Sequence, residues 1–328
     1  MKNNILFGVI GVGHLSNFHT QQALQVPNIN VVGVYDVDKK RAKEISSQYN
    51  VPCFDDMDLL LKSCDAVSIV TPAMSHYNIA MKALKNNCHV FIEKPFTVNL
   101  EDAHKIVLEA KNNNKLIQVG HIERFNPVFT QFIKSSPCPL FVEAERLTPF
   151  NKRGIDVDVV LDLMIHDINL ILALLDSNIK KVHANGVSIL SKSSDLVNAR
   201  LEFENGCIAN LTASRLSVQP LRKLRVFEKN TYSSLDLQKS SITKYVVLNK
   251  TNSNQNIDLN KPNPVVFEFA NTAVKKESIL IEKQNALYEE LVSFSESIQN
   301  QQPVEVDGED AIKTLELALL IQQKINEQ

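Results

Sequence analysis

Residues 159–172 read VVLDLMIHDINLIL, aliphatic side chains and a methionine interrupted by Asp162, His166, Asp167 and Asn169. Such a run predicts a helix buried in a core. At 100° per residue, Asp162, His166 and Asn169 fall within about 60° of one another. Burying a carboxylate and an imidazole without partners costs several kcal/mol, so this stripe must face a polar cavity or a partner. An imidazole with an ordinary pKa near 6.5 can take or give a proton at neutral pH. A carboxylate one turn earlier can orient it or hold a substrate hydroxyl. Lys94, in the tripeptide Glu93-Lys94-Pro95, offers an ammonium that could stabilise a developing alkoxide. Desolvated, the same lysine could instead serve as the base.

A third constellation binds instead of reacting. Gly11-x-Gly13-x-x-Ser16 follows an apolar, β-branched run and precedes a helical one. Gly11 allows a tight turn, and Gly13 lets the backbone approach a pyrophosphate at a helix N-terminus. Ser16 stands where Gly or Ala is usual. Asp36 ends the next apolar run, where a carboxylate would accept the ribose hydroxyls of NAD. A 2′-phosphate beside Asp36 would meet repulsion of about 4 kcal/mol per unit charge at an effective dielectric near 20, so NAD is favoured over NADP. Lys39, Lys40 and Arg41 follow closely and could soften that penalty.

The elements needed to hold these groups are legible. NILFGVIGVG, NINVVGVYD, DAVSIVTP, HVFIEKP and KLIQVGH read as strands apolar on both faces, alternating with amphipathic helices. That pattern predicts a parallel, doubly wound sheet covered by helices, with Lys94 at the carboxyl edge where such sheets bind ligands. After GHIERFNP the pattern changes to alternating strands: PLFVEAERL, KKVHANGVSIL, LVNARLEF, CIANLTASRL, KLRVFEK, YSSLDL and ITKYVVL. Asn205-Gly206 marks a hairpin. The second half should therefore be a large, mostly antiparallel sheet with helices on one side. Polar residues 249–264 should be a mobile loop, and two helices, near 283–299 and 308–327, should end the chain. The expected domains are 1–122 and 123–328, with terminal helices free to pack back on the first.

A length of 328 residues suits two domains, and 44% hydrophobic with 22% charged residues is ordinary for a globular protein. A formal charge of −2 argues against nucleic acid or an anionic membrane as the main partner. No 18-residue apolar run and no signal-peptide pattern is found. Cys53, Cys64, Cys88, Cys138 and Cys207 are scattered, as expected of reduced thiols in the cytoplasm. Asp162 and His166 lack a third ligand at suitable spacing, so no metal is expected.

Together, GVIGVGHLSNFH, TPAMSHYNIAMKAL, VFIEKPFTVNLEDA and VLDLMIHDINLI resemble the Gfo/Idh/MocA family of oxidoreductases over essentially the whole length. The resemblance implies a Rossmann domain, an α/β domain whose open sheet forms a homodimer or homotetramer interface, and a nicotinamide cofactor. It implies Lys94, Asp162 and His166 as catalytic residues of a sugar or cyclitol oxidoreductase, lining the cleft opposite the nicotinamide. It adds Val12, His14, Leu15, Thr71, Pro72, His76 and Glu93, with Lys94, to Gly11, Gly13 and Asp36 as cofactor contacts. VGHIERFNPVF, EAERLTPF and DVVLDLMIHDI look most like UDP-N-acetylglucosamine 3-dehydrogenases and similar nucleotide-sugar enzymes. Arg124, Asn126, Arg146 and Arg153 are then candidates for substrate phosphates or hydroxyls, since arginine forks suit phosphate. Each could equally be a structural residue. A free sugar or cyclitol substrate, the reductive direction, and a dinucleotide sensor without turnover remain the alternatives.

Overall fold

Apolar runs of the first 120 residues form five strands: β1 (Ile5–Ile10), β2 (Ile29–Tyr35), β3 (Ala66–Ile69), β4 (His89–Glu93) and β5 (Ile117–Gly120). The computed structural model describes residues 4–150, 158–249, 265–269 and 272–327. Every neighbouring pair in this sheet is parallel, in the order β2-β1-β3-β4-β5. The chain thus leaves β1 outward to β2, then returns to β3 on the other side of β1. Connections diverge there, and ligands bind outside the carboxyl ends at such a reversal.

Five helices follow the strands: α1 (His14–Ala23), α2 (Lys39–Tyr49), α3 (Met57–Lys62), α4 (His76–Lys85) and α5 (Leu100–Asn112). Side chains fix several starts. Asp38 accepts from the Lys40 and Arg41 amides, Asp56 from Asp58 and Asn99 from Asp102. Helix α3 is a single short turn-and-a-half that the apolar pattern does not announce.

The second sheet is larger. Before its strands come α6 (Pro127–Ile133), and between the first two lies α7 (Ile165–Leu174). Its strands are β6 (Phe141–Leu147), β7 (Ile179–Val187), β8 (Leu196–Phe203), β9 (Ile208–Ser214), β10 (Leu221–Glu228), β11 (Thr231–Asp236), β12 (Ser241–Asn249), β13 (Val265–Phe269) and β14 (Thr272–Leu280). They lie in the order β13-β14-β12-β11-β10-β6-β9-β8-β7. Among the described strands of this second sheet only β6 and β9 pair in parallel; the rest are antiparallel. Strands β13 and β14 go beyond those expected from the alternation; residues 250–264, most of the expected loop, lie outside the described residues. The hairpin at Asn205-Gly206 joins β8 to β9, with the Gly206 amide donating to Phe203 O at 3.0 Å. Two helices complete the chain, α8 (Ala286–Asn300) and α9 (Gly308–Asn326).

The chain divides into two compact units, one of Met1–Phe125 with Asn285–Glu316, the other of Asn126–Gln284 with Leu317–Gln328. In the first, Leu287, Leu291 and Phe294 of α8 join Phe7, Val9, Val31 and Phe91 in one core. In the second, Val142, Ala144, Leu201, Leu211 and Val226 form the buried face of the sheet, packed with Phe129, Ile168, Ile171 and Ile321. No helix among the described residues is long and apolar enough to cross a membrane.

The polar-striped run at 159–172 is not a uniform α-helix. Val160–Met164 is π-helical, and α7 begins after it. A π turn closes i→i+5 bonds, so the 100° projection does not carry across Asp162. Asp162 and His166 are half-buried, whereas Asn169 and Asp167 are buried. Asp167 receives a bidentate grip from Arg146 of β6, Nε to Oδ2 at 2.9 Å and Nη2 to Oδ1 at 2.8 Å. The two side chains are only 3% and 6% exposed. Removing one partner of such a pair strands the other charge, at about 3–5 kcal/mol, while an apolar replacement of both is often neutral. Asp167→Ala should therefore lose stability of that order in urea unfolding followed by circular dichroism. The double variant Arg146→Met/Asp167→Leu should regain at least half; a double variant as weak as the single one would contradict this account.

Candidate functional site

The loop after β1 is built for a close-approaching ligand. Gly11 has φ +85°, and a Cβ there would stand 2.7 Å from Thr71 Cγ2 and Val70 O, beyond the end of β3. Only glycine fits that turn. Gly13 differs: a Cβ on it would meet nothing within 4 Å. Protein packing does not demand glycine at 13, whereas close approach of a phosphate does. Gly13 is also the N-cap of α1, with no side-chain cap and no acidic residue in the first turn. A helix N-terminus directs backbone amides and the positive end of its dipole toward an anion. The residues present thus fit a dinucleotide.

Asp36, at the end of β2, anchors this loop as well as ending the strand. Its Oδ2 accepts from the Val12 amide at 2.6 Å and its Oδ1 from the Asp38 amide at 2.8 Å. The Val12 carbonyl accepts from Arg41 Nε at 3.0 Å. Val12 is fully buried, so both its backbone groups serve the protein, in contrast to the cofactor contact expected of it. Lys39 donates to Asp55 O and lies 4.5 Å over the Tyr35 ring, and Arg41 pairs with Glu44 at 3.0 Å. The backbone of His14 and Leu15 opens α1.

Across the crevice, Thr71 and Pro72 follow β3, with Thr71 Oγ1 accepting from Ser75 Oγ at 2.8 Å. His76 is buried rather than facing a ligand. Its Nε2 lies 2.8 Å from Thr71 O, and its Nδ1 lies 3.0 and 3.3 Å from the Pro95 and Phe96 carbonyls. It ties the Thr71 turn to the segment that follows Lys94. Lys94 directly follows β4 and is half-buried. Glu93 Oε1 meets His19 Nε2 at 2.9 Å, and its Oε2 accepts from the Lys94 amide at 3.1 Å.

Of the four residues expected to meet substrate, three are held by protein partners. Arg146 grips Asp167 in the second unit's core, which corrects the expectation of a phosphate contact. Arg124 donates to Glu305 Oε1 at 2.7 Å. Asn126 caps α6 through the Val128 amide and donates to Leu237 O at 3.1 Å. Arg153 lies outside the described residues. Among those residues no cluster of three or more His, Cys, Asp or Glu could hold a metal ion, and all five cysteines are free.

The family model described as "Oxidoreductase family, NAD-binding Rossmann fold" matches residues 5–121, and a GFO/IDH/MocA C-terminal domain matches residues 115–230. The UDP-N-acetylglucosamine 3-dehydrogenase of Acidithiobacillus ferrooxidans is 34% identical over 321 residues, 96% of this chain and 95% of that one. The chain belongs to the Gfo/Idh/MocA family of oxidoreductases. A solved structure of that Acidithiobacillus enzyme superposes with a TM-score of 0.88 at 32% identity, covering 99% of this chain and 98% of the other. The scyllo-inositol 2-dehydrogenase (NAD(+)) of Bacillus subtilis is 26% identical over 66% of this chain and 69% of its own. As a Gfo/Idh/MocA oxidoreductase, the chain carries the family's nicotinamide-dinucleotide domain.

Within this Gfo/Idh/MocA site lies a buried polar cluster behind β4 and β5 that the motifs do not reveal. Gln118 Nε2 donates to Glu290 Oε1 at 3.3 Å. Burial, then the charge of Glu93, pushes the Glu290 carboxyl well above its usual range despite that bond. Burial drives His121 down to about 3, so it stays neutral. Only the i,i+3/i+4 apolar spacing around Glu290, which places it on the buried face of α8, could have signalled it. The sign of its effect follows from linkage. The native carboxyl keeps its proton while the unfolded one ionises, so Glu290 erodes stability as pH rises above the unfolded value near 4.5. Glu290→Gln cannot ionise. Its stability relative to wild type should therefore climb between pH 5 and pH 8, by up to about 1.4 kcal/mol per pH unit. Thermal melts across that range check this; a difference flat with pH would refute a protonated Glu290.

Proposed function

We propose that this chain oxidises a hydroxyl of a nucleotide sugar with NAD, and that the substrate is UDP-N-acetylglucosamine, oxidised at its 3-position. The observation that carries the reading is the 34% identity to the Acidithiobacillus enzyme across nearly both whole chains. The NAD preference rests on Asp36, with Lys39 bound to Asp55 O and Arg41 to Val12 O and Glu44, and so less able to offset a 2′-phosphate.

The bound dinucleotide supplies a hydride acceptor. His166, half-buried on α7, takes the hydroxyl proton, and Asp162 on the preceding π turn orients the ring or holds a neighbouring hydroxyl. Lys94 stabilises the alkoxide as it forms, a role that strengthens where water is excluded. General-base catalysis is typically worth about 10²–10⁴-fold, so His166→Ala should lose turnover on that order with NADH affinity nearly intact. Lys94→Ala should do comparable damage. Initial rates of NADH and NADPH formation over UDP-sugars, free hexoses and cyclitols check the whole reading. Activity confined to unphosphorylated sugars would reject the nucleotide-sugar substrate, full activity in His166→Ala would remove it as the base, and NADP preference would overturn the Asp36 argument.

The second sheet offers the surface for self-association. On the face opposite its core, Phe141, Phe227, Tyr232 and Tyr245 are cross-strand neighbours on β6, β10, β11 and β12, with ring centroids 4.7–5.7 Å apart. Lys276 of β14 lies 5.9 Å over the last ring. Aromatic rows of this kind suit a partner sheet, and the reading assigns the face to a homodimer or homotetramer. Sedimentation of Tyr232→Glu should then give monomer where wild type gives oligomer; identical masses would discard this surface.

A further inference from the structure

His19 has no part in the reading above, yet both of its ring nitrogens are engaged inside the first unit. It lies on α1, 2% exposed, with its ring edge-on to Phe91 at 5.4 Å. Its Nδ1 meets the Oγ of fully buried Ser68, in the middle of β3, at 2.9 Å. Its Nε2 meets Glu93 Oε1 at 2.9 Å. An ionised carboxylate only accepts, so Nε2 carries the proton and donates. The other carboxylate oxygen accepts the Lys94 amide at 3.1 Å. On the neighbouring strand, a Cβ at Gly120 would stand 3.0 Å from the Glu93 carboxyl carbon, so glycine there leaves room for it. Four groups on three elements thus line up: Ser68, His19, Glu93 and the peptide that carries Lys94.

Ser, His and Glu in a row invite comparison with a nucleophilic triad, but Ser68 is sealed in the sheet and no substrate can reach it. The line ends instead on Lys94. We propose that His19 is a positioning residue for Lys94, acting through Glu93: it braces the carboxylate that fixes the Lys94 backbone at the carboxyl edge of β4. The proposal rests on the dehydrogenase reading for what Lys94 does, not for where it is held. Burial alone pushes the Glu93 carboxyl up; the His19 hydrogen bond, then the charges of His19 and Lys94, bring it below its usual value. The other titratable groups facing Glu93 are His121, neutral through burial, and Glu290, which keeps its proton. Neither replaces the brace.

The direction of the effect follows. Without His19, burial lifts Glu93 toward protonation, the acceptor for the Lys94 amide weakens, and activity on the acid side fails at a higher pH. A misplacement of about 1 Å can cost on the order of 100-fold in rate. His19→Phe should lower kcat about 10- to 100-fold, raise the acid limb of the kcat/KM profile, and leave NADH affinity by fluorescence titration within about threefold. His19→Gln, whose amide can donate to Glu93, should restore most of both. Ser68→Ala should act in the same direction but less, and covers the case in which His19→Phe does not fold. His19→Phe/Glu93→Gln should be no worse than Glu93→Gln alone, because the two act in series. A second readout needs no substrate: trace acetylation of Lys94, followed by mass spectrometry, should change rate in His19→Phe and return in His19→Gln, with Lys105 unaffected. A protein that turns over no sugar but displays this labelling pattern would cost the dehydrogenase reading and keep the brace. An unmoved acid limb and unchanged Lys94 labelling, or loss without rescue by glutamine, would overturn the brace while leaving the activity untouched.

Discussion

The parallel order of the first sheet is the constraint on which the rest depends. Because all five strands run the same way, every strand ends on one edge, and every βα loop is delivered there. Residues as far apart in sequence as Gly11, Asp36, Thr71 and Lys94 are gathered without any of them having to seek the others. The reversal at β1 then opens the space: Gly11 and Thr71 crowd each other at the floor, while Gly13 faces nothing. Short side chains at the floor and an uncapped helix above it are what a pyrophosphate requires. The chemistry is seated by topology before any side chain is chosen.

Burying ionisable groups creates an electrostatic problem that the molecule solves in three ways. Glu93 stays charged because donors from α1 and from its own strand end surround it. Glu290 stays neutral because its burial outweighs the single amide donor from Gln118, and because Glu93 already occupies the field. Arg146 and Asp167 neutralise each other in fork geometry, fixing β6 against α7 in the second unit. Two glutamates of one cluster are thus driven apart in character by environment alone, a pattern that recurs where acid and base functions must coexist.

Much of this could be read from the residues. Strands apolar on both faces, alternating with helices, announced the parallel sheet, and the glycine loop, Asp36 and the Glu-Lys-Pro strand end announced its edge. Partnership was harder. Arg146 has the fork that suits a phosphate, and nothing in its neighbours says that a carboxylate 21 positions later claims it. His76 and Asn126 look like ligands for the same reason: polar side chains in motif-bearing stretches are also what hold such stretches in place. Local irregularity was also invisible. A π turn has the same residue types as an α turn, so its effect on the projection of Asp162 could not be foreseen. Strands β13 and β14 lie beyond a polar stretch that broke the alternation. His19 carries no sign in the sequence of which carboxylate it will meet, since α1 around it, HLSNFHTQQA, is mostly polar.

The first unit is sewn from both ends of the chain, and that has a consequence in time. Leu287, Leu291 and Phe294 complete a core whose other members, Phe7 to Phe91, leave the ribosome far earlier. At a synthesis rate of about 5–20 residues per second, the intervening segment takes roughly 10–40 s to emerge. During that interval the dinucleotide sheet waits with an uncovered apolar flank around Phe91. Its birth is therefore a task for which chaperone cover would matter, and a clone ending before residue 285 would leave that flank permanently bare.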